Sequence, residues 1–226
     1  MSRSVLFDTE TTGLDPLSGD RVLEIAALEL INDLPTGRHF HALIHPDRDI
    51  PEQTTRIHGI TLEKLLGKPR FNEIAEEMLE FMGDGRLVAH NAPFDFGFVN
   101  AELSRAKRPP LALSRMVDTL ALAKTRFPGM PNSLDALCRR FGIDLTERTS
   151  HNALLDCRLL AEVYVELTGG RQRGLALATS GRGSGPVVDY RVDPARTPRL
   201  VLPTEDELAA HAAFVLRLTD PVWSRQ

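Results

Sequence analysis

Asp8 and Glu10 flank Thr9 in the run Ser4-Val-Leu-Phe-Asp-Thr-Glu10, whose apolar and β-branched composition predicts a strand. Side chains two apart on a strand point to the same side, so the two carboxylates project together. Like charges at the end of an apolar strand are costly unless something neutralises them, and a divalent cation is the natural solution. Read alone, the pair is equally a solvated strand edge; the buried approach and the following Thr-Thr-Gly13 favour chemistry. A third acidic residue, Asp95, follows Asn91-Ala-Pro-Phe at a helix start, where by itself it complements the helix dipole. A fourth, Asp156, closes Ser150-His-Asn-Ala-Leu-Leu-Asp156, with His151 five residues earlier. Five residues turn about 140° around a helix, so the two meet only if His151 precedes the first turn, near an N-cap at Ser150 or Asn152. In isolation His151 reads as a capping or surface histidine.

Asp8-Thr-Glu-Thr-Thr-Gly13, Asn91-Ala-Pro-Phe-Asp95 and His151-x-x-x-x-Asp156 together, in this order, resemble the three motifs of the DEDDh family of 3′–5′ exonucleases. The resemblance implies an α/β, ribonuclease-H-like fold and a site for two metal ions. It makes Asp8, Glu10, Asp95 and Asp156 the metal ligands, Asp8 bridging both ions, and His151 the general base. Hard oxygen ligands suit Mg²⁺ or Mn²⁺. Two such ions, roughly 3.5–4 Å apart, stabilise the attacking and leaving oxygens of an in-line displacement. A histidine, with a reference pKa of ~6.5, takes a proton from water near neutral pH. Thr11, Thr12, Gly13 and Asn91 are expected to face the substrate. His58, in the family-like segment Arg56-Ile-His-Gly-Ile60, either lines the cleft beside them or stabilises a loop. Asp118 reads as structural, and Phe94 and Phe96 as core rather than stacking platforms.

The elements that must hold these residues are an alternation of strand and helix signals over the first 170 residues. Strands are expected at Ser4–Glu10, Val22–Leu30 and Phe40–His45, then at Leu87–His90 and near Met116–Val117. Helices are expected at Asn72–Met82, from Asn91 through Leu103, at Ser133–Phe141 and at Asn152–Leu167. The expected architecture is a mixed sheet flanked by helices.

The 226 residues are 42% apolar and 26% charged, the composition of a globular protein with room for one domain and an appendage. No apolar run approaches a membrane span, and the N-terminus lacks signal-peptide character, so a cytoplasmic protein with no membrane partner is expected. Cys138 and Cys157 read as buried free thiols. Residues 1–170 carry 19 Lys and Arg against 25 Asp and Glu, while residues 171–226 carry 8 against 6. An acidic domain binds the phosphate backbone poorly, so a DNA substrate implies metal-binding carboxylates and help from a partner.

Composition changes at Thr168-Gly-Gly170. Residues 1–170 are expected to form the exonuclease domain, 171–199 a flexible Gly-, Arg-, Ser- and Pro-rich linker, and 200–226 a short helical docking segment. Thr204 and Glu207 have capping-box spacing ahead of an apolar stripe of Leu208, Ala212 and Val215, with Trp223 behind it. Arg56-Ile-His-Gly-Ile-Thr, Asn132-Ser-Leu-Asp-Ala-Leu-Cys-Arg-Arg, Ala161-Glu-Val-Tyr and Thr204-Glu-Asp-Glu-Leu-Ala-Ala-His211 are similar to one branch of the family, the proofreading subunits of bacterial DNA polymerase III. That likeness implies a DNA 3′ end as substrate and a terminal segment, with Leu208 and Trp223, that binds the polymerase alpha subunit. It also implies a clamp-binding peptide at Gln172, Leu175 and Leu177, although Leu177 stands where an aromatic residue is more usual. The alternatives are an RNA-trimming exonuclease with the same five residues, or a non-catalytic scaffold of the polymerase.

Overall fold

A computed structural model describes residues 2–148, 150–169 and 202–217. The chain forms two compact units, Met1–Ala176 and Leu177–Gln226. In the first, five strands form one sheet: β1 (Arg3–Thr11), β2 (Val22–Ile31), β3 (Leu34–Leu43), β4 (Arg86–Ala89) and β5 (Met116–Asp118), in the spatial order β3-β2-β1-β4-β5. β1 pairs antiparallel with β2 and β2 with β3, whereas β1–β4 and β4–β5 are parallel. Parallel neighbours need crossovers, and helices supply them.

The central strand β1 is buried on both faces, and its alternation sorts two cores. Val5 and Phe7 pack with α3 (Phe71–Met82) and α4 (Ala92–Arg105), where Phe7 meets Phe96 edge-on at 5.5 Å. Leu6 packs on the opposite face with α5 (Thr119–Arg126), α6 (Leu134–Phe141) and α7 (Ala153–Leu167). Period two therefore aims Asp8 and Glu10 towards the α7 side and Thr9 towards α4. Phe96 is core as expected; Phe94 is half-buried. Cys138 and Cys157 are buried free thiols.

The structure departs from the sequence reading at three places. β3 begins at Leu34 rather than Phe40, and its exposed Pro35 and Gly37 lie on the sheet edge, where a missing N–H costs little. The short helices α1 (Glu52–His58) and α2 (Leu62–Leu65) fall in a segment without a clear apolar period. α5 follows β5 directly, with Asp118 as its N-cap. Asp118 Oδ1 accepts from Leu120 N–H and from the backbone N–H groups of Asn91 and Ala92, which is the structural role expected of it.

In the second unit, α8 (Glu205–Val215) opens with the expected capping box: Thr204 Oγ1 accepts from Glu207 N–H, and Thr204 N–H donates to Glu207 at 2.8 Å. Leu202, Leu208, Phe214 and Leu216 are exposed. Gln172, Leu175, Leu177 and Trp223 lie outside the described residues. No helix among the described residues is long and apolar enough to cross a membrane.

The turn after β1 depends on one close approach. A Cβ built on Gly13 would overlap the Asp20 carboxylate, which is held by Thr12 Oγ1 at 3.1 Å, Asp15 N–H at 3.2 Å and Arg48 at 3.0 Å. Gly13→Ala should cost about 1–3 kcal/mol, the usual range for overpacking. The double variant Gly13→Ala/Asp20→Ala should recover part of it. Denaturant unfolding checks this; additive losses in the double variant would show that the overlap is not the cause.

Candidate active site

Three elements bring the acidic residues together. Asp8 and Glu10 stand at the C-terminal end of β1, Asp95 in the first turn of α4, and Asp156 in the first turn of α7. Glu10, Asp95 and Asp156 are buried and Asp8 half-buried. His151 lies just before Asn152, the N-cap of α7, where it escapes the helical periodicity and returns to Asp156: its Nδ1 is 3.4 Å from Oδ2. Donor atoms of Glu10, His151 and Asp156 all lie within 4.8 Å of one another.

Supporting contacts set the orientation. Thr9 Oγ1 donates to Asp95 Oδ1 at 2.7 Å, so the strand residue between the two carboxylates aims the third. Glu24 lies opposite Glu10 on β2 and is 1% exposed. It accepts from Asn152 Nδ2 at 3.1 Å and Ala153 N–H at 3.3 Å, and His41 Nε2 lies 2.7 Å away. A buried carboxylate thus receives the unpaired N–H at the start of α7 and pins the His151 segment to the sheet. Glu102 of α4 grips Arg21 in a fork of 2.6 and 2.9 Å, tying α4 to the start of β2.

The electrostatics are those of anions forced together. Burial, followed by the charges of Asp95, Glu10, Asp156 and Glu24, pushes Asp8 well above the ordinary carboxyl range. Burial raises Glu10 to about 8 and Asp95 to about 7. Asp156 runs the other way. Burial pushes it up, but hydrogen bonds from Arg148 and His151 and their charges outweigh that and hold it below its usual value. Its hydrogen bond to Asp156 raises His151, against burial and the Arg148 charge. Carboxyls buried this close together are the arrangement a bound cation neutralises. The donor set, oxygen-rich with one flanking imidazole, fits a hard divalent ion held by Asp8, Glu10, Asp95 and Asp156.

The residues expected at the substrate divide. A cleft of about 210 Å³ is lined by the centre together with Thr11, Gly13, Leu14, Ile57, His58, His90 and Phe94. His58 is 6% exposed, and its Nδ1 accepts from Ile60 N–H, so it both lines the cleft and stabilises its own turn. Among the described residues its buried Nε2 has no hydrogen-bond partner. Thr12 is instead fully buried, its hydroxyl engaged with Asp20 and Arg21 N–H. Asn91 is an exposed left-handed residue (φ 63°) at the N-cap of α4 and is not part of that lining. Glu24, His90 and Arg148 were not anticipated. Glu24 had a visible signal, a charge that with Glu29 interrupts the otherwise apolar run Val22–Leu30.

A sheet of this order with carboxylates and a histidine converging at the end of its central strand defines a metal-dependent nuclease of ribonuclease-H-like fold. The exonuclease (RNase_T) family model matches residues 5–164. The DNA polymerase III subunit epsilon of Rickettsia felis is 46% identical over 218 residues, covering 94% of this chain and 95% of that one. Exonuclease X, solved with 5′-overhanging duplex DNA, is 28% identical with a TM-score of 0.58, covering 75% of this chain and 92% of its own. The nuclease domain of 3′hExo, a DEDDh family member solved with rAMP, shares the fold at a TM-score of 0.63 and 16% identity, covering 74% and 92%. The chain belongs to the exonuclease family, among the DNA polymerase III epsilon subunits. It is a metal-dependent 3′–5′ exonuclease.

The carboxyl values carry a stability consequence. Asp8, Glu10 and Asp95 sit above their unfolded values, so the native state holds more protons between them. Their contribution is complete at acid pH and is lost as pH rises towards about 7 for Asp95 and about 8 for Glu10. Asp156, depressed, has the opposite sign: its contribution is lost as pH falls below the ordinary carboxyl range. The metal-free Tm should therefore decline from mildly acid pH to about 8. Asp8→Asn should flatten part of that decline, raise the metal-free Tm at the alkaline end, and abolish cleavage. A metal-free Tm at pH 8 no higher than the parent's would refute the crowding argument.

Proposed function

We propose that this exonuclease proofreads for a bacterial DNA polymerase III in the cytoplasm, removing mispaired 3′-terminal nucleotides with two divalent ions, Mg²⁺ or Mn²⁺. The convergence of Asp8, Glu10, Asp95, Asp156 and His151 on one cleft carries the reading, supported by the 46% identity to an epsilon subunit. When bound, the ions neutralise the scissile phosphate and stabilise the entering and leaving oxygens. Asp8 and Glu10 hold them from the strand, Asp95 and Asp156 from the two helix starts. His151, half exposed beside the cleft, takes the proton of the attacking water. The terminal nucleotide lies against Thr11, Gly13 and Phe94, with His58 lining the cleft beside it. Thr12 and Asn91 serve by shaping the loops that flank this cleft.

The acidic nuclease domain gains its substrate through partners. Residues 171–199 act as a linker, with Gln172, Leu175 and Leu177 as a peptide for the sliding clamp. Residues 200–226 dock on the alpha subunit through α8 and Trp223; the exposed Leu208 and Phe214 supply apolar anchors for a groove.

His151→Ala should lower turnover by ~10²–10⁴-fold, the worth of a positioned acid or base. In the parent, the rate should rise with pH through the titration of the imidazole. The variant should lose that step. An unchanged pH profile would remove His151 from proton transfer.

The assignment as a whole is tested with 5′-labelled strands. Single-stranded DNA should shorten from its 3′ end only with Mg²⁺ or Mn²⁺, and a mispaired primer terminus should go faster than a paired one. RNA degraded faster than DNA would favour RNA trimming, and no cleavage would favour a scaffold. Deleting residues 200–226 should leave hydrolysis of free single strands intact and abolish co-purification with the alpha subunit. A truncated protein that still binds it tightly would overturn the tail's role.

A further inference from the structure

The carboxylate centre carries a cation of its own. Arg148 leaves the chain three residues before His151, and its side chain is 10% exposed. Its Nε donates to Asp156 Oδ1 at 2.6 Å and its Nη2 to Oδ2 at 2.8 Å, so one planar fork takes both oxygens of a candidate metal ligand. Nη1 donates to Asp135 Oδ1 at 2.6 Å, and Nη2 lies 3.0 Å from His151 Nδ1. One guanidinium thus engages the fourth carboxylate, the candidate base and a neighbouring acid on α6.

A guanidinium and a divalent ion compete for the same lone pairs. Each weakens the other's hold on Asp156, because positive charges a few ångströms apart in a partly dry site repel. The Asp156 fork therefore loosens as an ion takes those oxygens. The geometry already provides a second anchor. Asp135 is 37% exposed and lies with Arg148 in the wall of a second, wider cleft of about 570 Å³ that also reaches Asp8, His90 and Leu120. His151 Nδ1 lies 3.0 Å from Arg148 Nη2 and 3.4 Å from Asp156 Oδ2, so the guanidinium crowds the contact between the imidazole and that carboxylate.

We propose that Arg148 is a latch that competes with metal at Asp156: it holds the metal-free centre together, and loading leaves it on Asp135 alone and releases His151. This rests on Asp156 being a metal ligand. Arg148 is then a positioning residue whose two effects oppose each other, stabilising the empty fold and weakening metal binding. A salt bridge that merely oriented Asp156 for the ion would have the reverse effect on metal affinity, since its loss would loosen the ligand.

The experiment titrates Mn²⁺ without nucleic acid into the full chain and into Arg148→Met, Arg148→Lys and Asp135→Asn, reading affinity by calorimetry and Tm with and without the ion. Arg148→Met keeps the apolar stem and removes the charge; it should bind Mn²⁺ roughly tenfold more tightly, a typical coupling between two sites. Its metal-free Tm should fall, and its rise in Tm on adding Mn²⁺ should exceed the parent's. Arg148→Lys keeps a charge without the fork, so its affinity should lie between the two, which holds the test open if the Met variant folds poorly. Asp135→Asn removes the second anchor and should weaken Mn²⁺ binding. Unchanged or weaker affinity in both Arg148 variants would overturn the latch. A parent that binds no Mn²⁺ would overturn the metal-ligand reading of Asp156 and the latch with it.

Discussion

The strongest constraint on this molecule is the burial of mutually repelling carboxylates gathered where β1 ends. Burial and mutual charge push Asp8, Glu10 and Asp95 upward, while Asp156 alone is held down, by a guanidinium and an imidazole. The rest of the fold exists on terms set by that repulsion. Val5, Leu6 and Phe7, all fully buried, give the strand two cores to lean on, and α4 and α7 are clamped with their first turns facing one another across it. Apolar packing supplies the stability against which the strained centre is kept, a pattern that recurs where titratable groups are tuned for chemistry.

Because the acids repel, each needs its own restraint. Asp95 has Thr9, which comes from the same strand as its neighbours, so strand and helix cannot drift apart without losing a 2.7 Å hydrogen bond. Asp156 has the N-terminus of α7, fixed by Glu24 through Asn152 and Ala153. The loop that carries Gly13 has Asp20, braced by Arg48. Arg21 and Glu102 hold α4 against β2 from the far side. The backbone of the site is thus braced from several sides, and Arg148 spans two of its carboxylates at once, Asp156 and Asp135.

How much of this was legible in the sequence follows from where each signal resides. Asp8, Glu10, Asp95, His151 and Asp156 could be read because strand period and helix starts are local properties, and β1, β2, α3, α4 and α7 carry long, clear patterns. Position before an N-cap also anticipated how His151 reaches an acid five residues on. By contrast, α1 and α2 lack a sustained apolar period, and β3 begins with Pro35 and Gly37, residues that argue against a strand unless it is an edge. Thr12 sits between Thr11 and Gly13 in sequence, yet it points into the turn while they face the cleft, because strand alternation ends at the shift in pairing between Glu10 and Thr11. Arg148 was illegible for a different reason. An arginine in a loop is ordinarily solvated, and only the three-dimensional closeness of Asp135, His151 and Asp156 makes this one part of the centre.

The same electrostatics bear on how such an enzyme meets its substrate. A negative cleft repels a phosphodiester chain, and the domain around it is acidic as a whole, so its unaided hold on DNA should be weak. Loading with metal reverses the local sign only within a short distance, since exposed charges are screened beyond about 8 Å at physiological salt. An exonuclease built this way should cut free strands only as fast as weak encounters allow, and faster those held at its mouth. On the proposed reading, the tail and its partner do the holding, by raising the effective concentration of a frayed 3′ end rather than by adding affinity to the nuclease surface. Weak intrinsic binding is then a requirement: a basic cleft would retain paired primer ends as readily as mispaired ones, and discrimination would be lost to residence time.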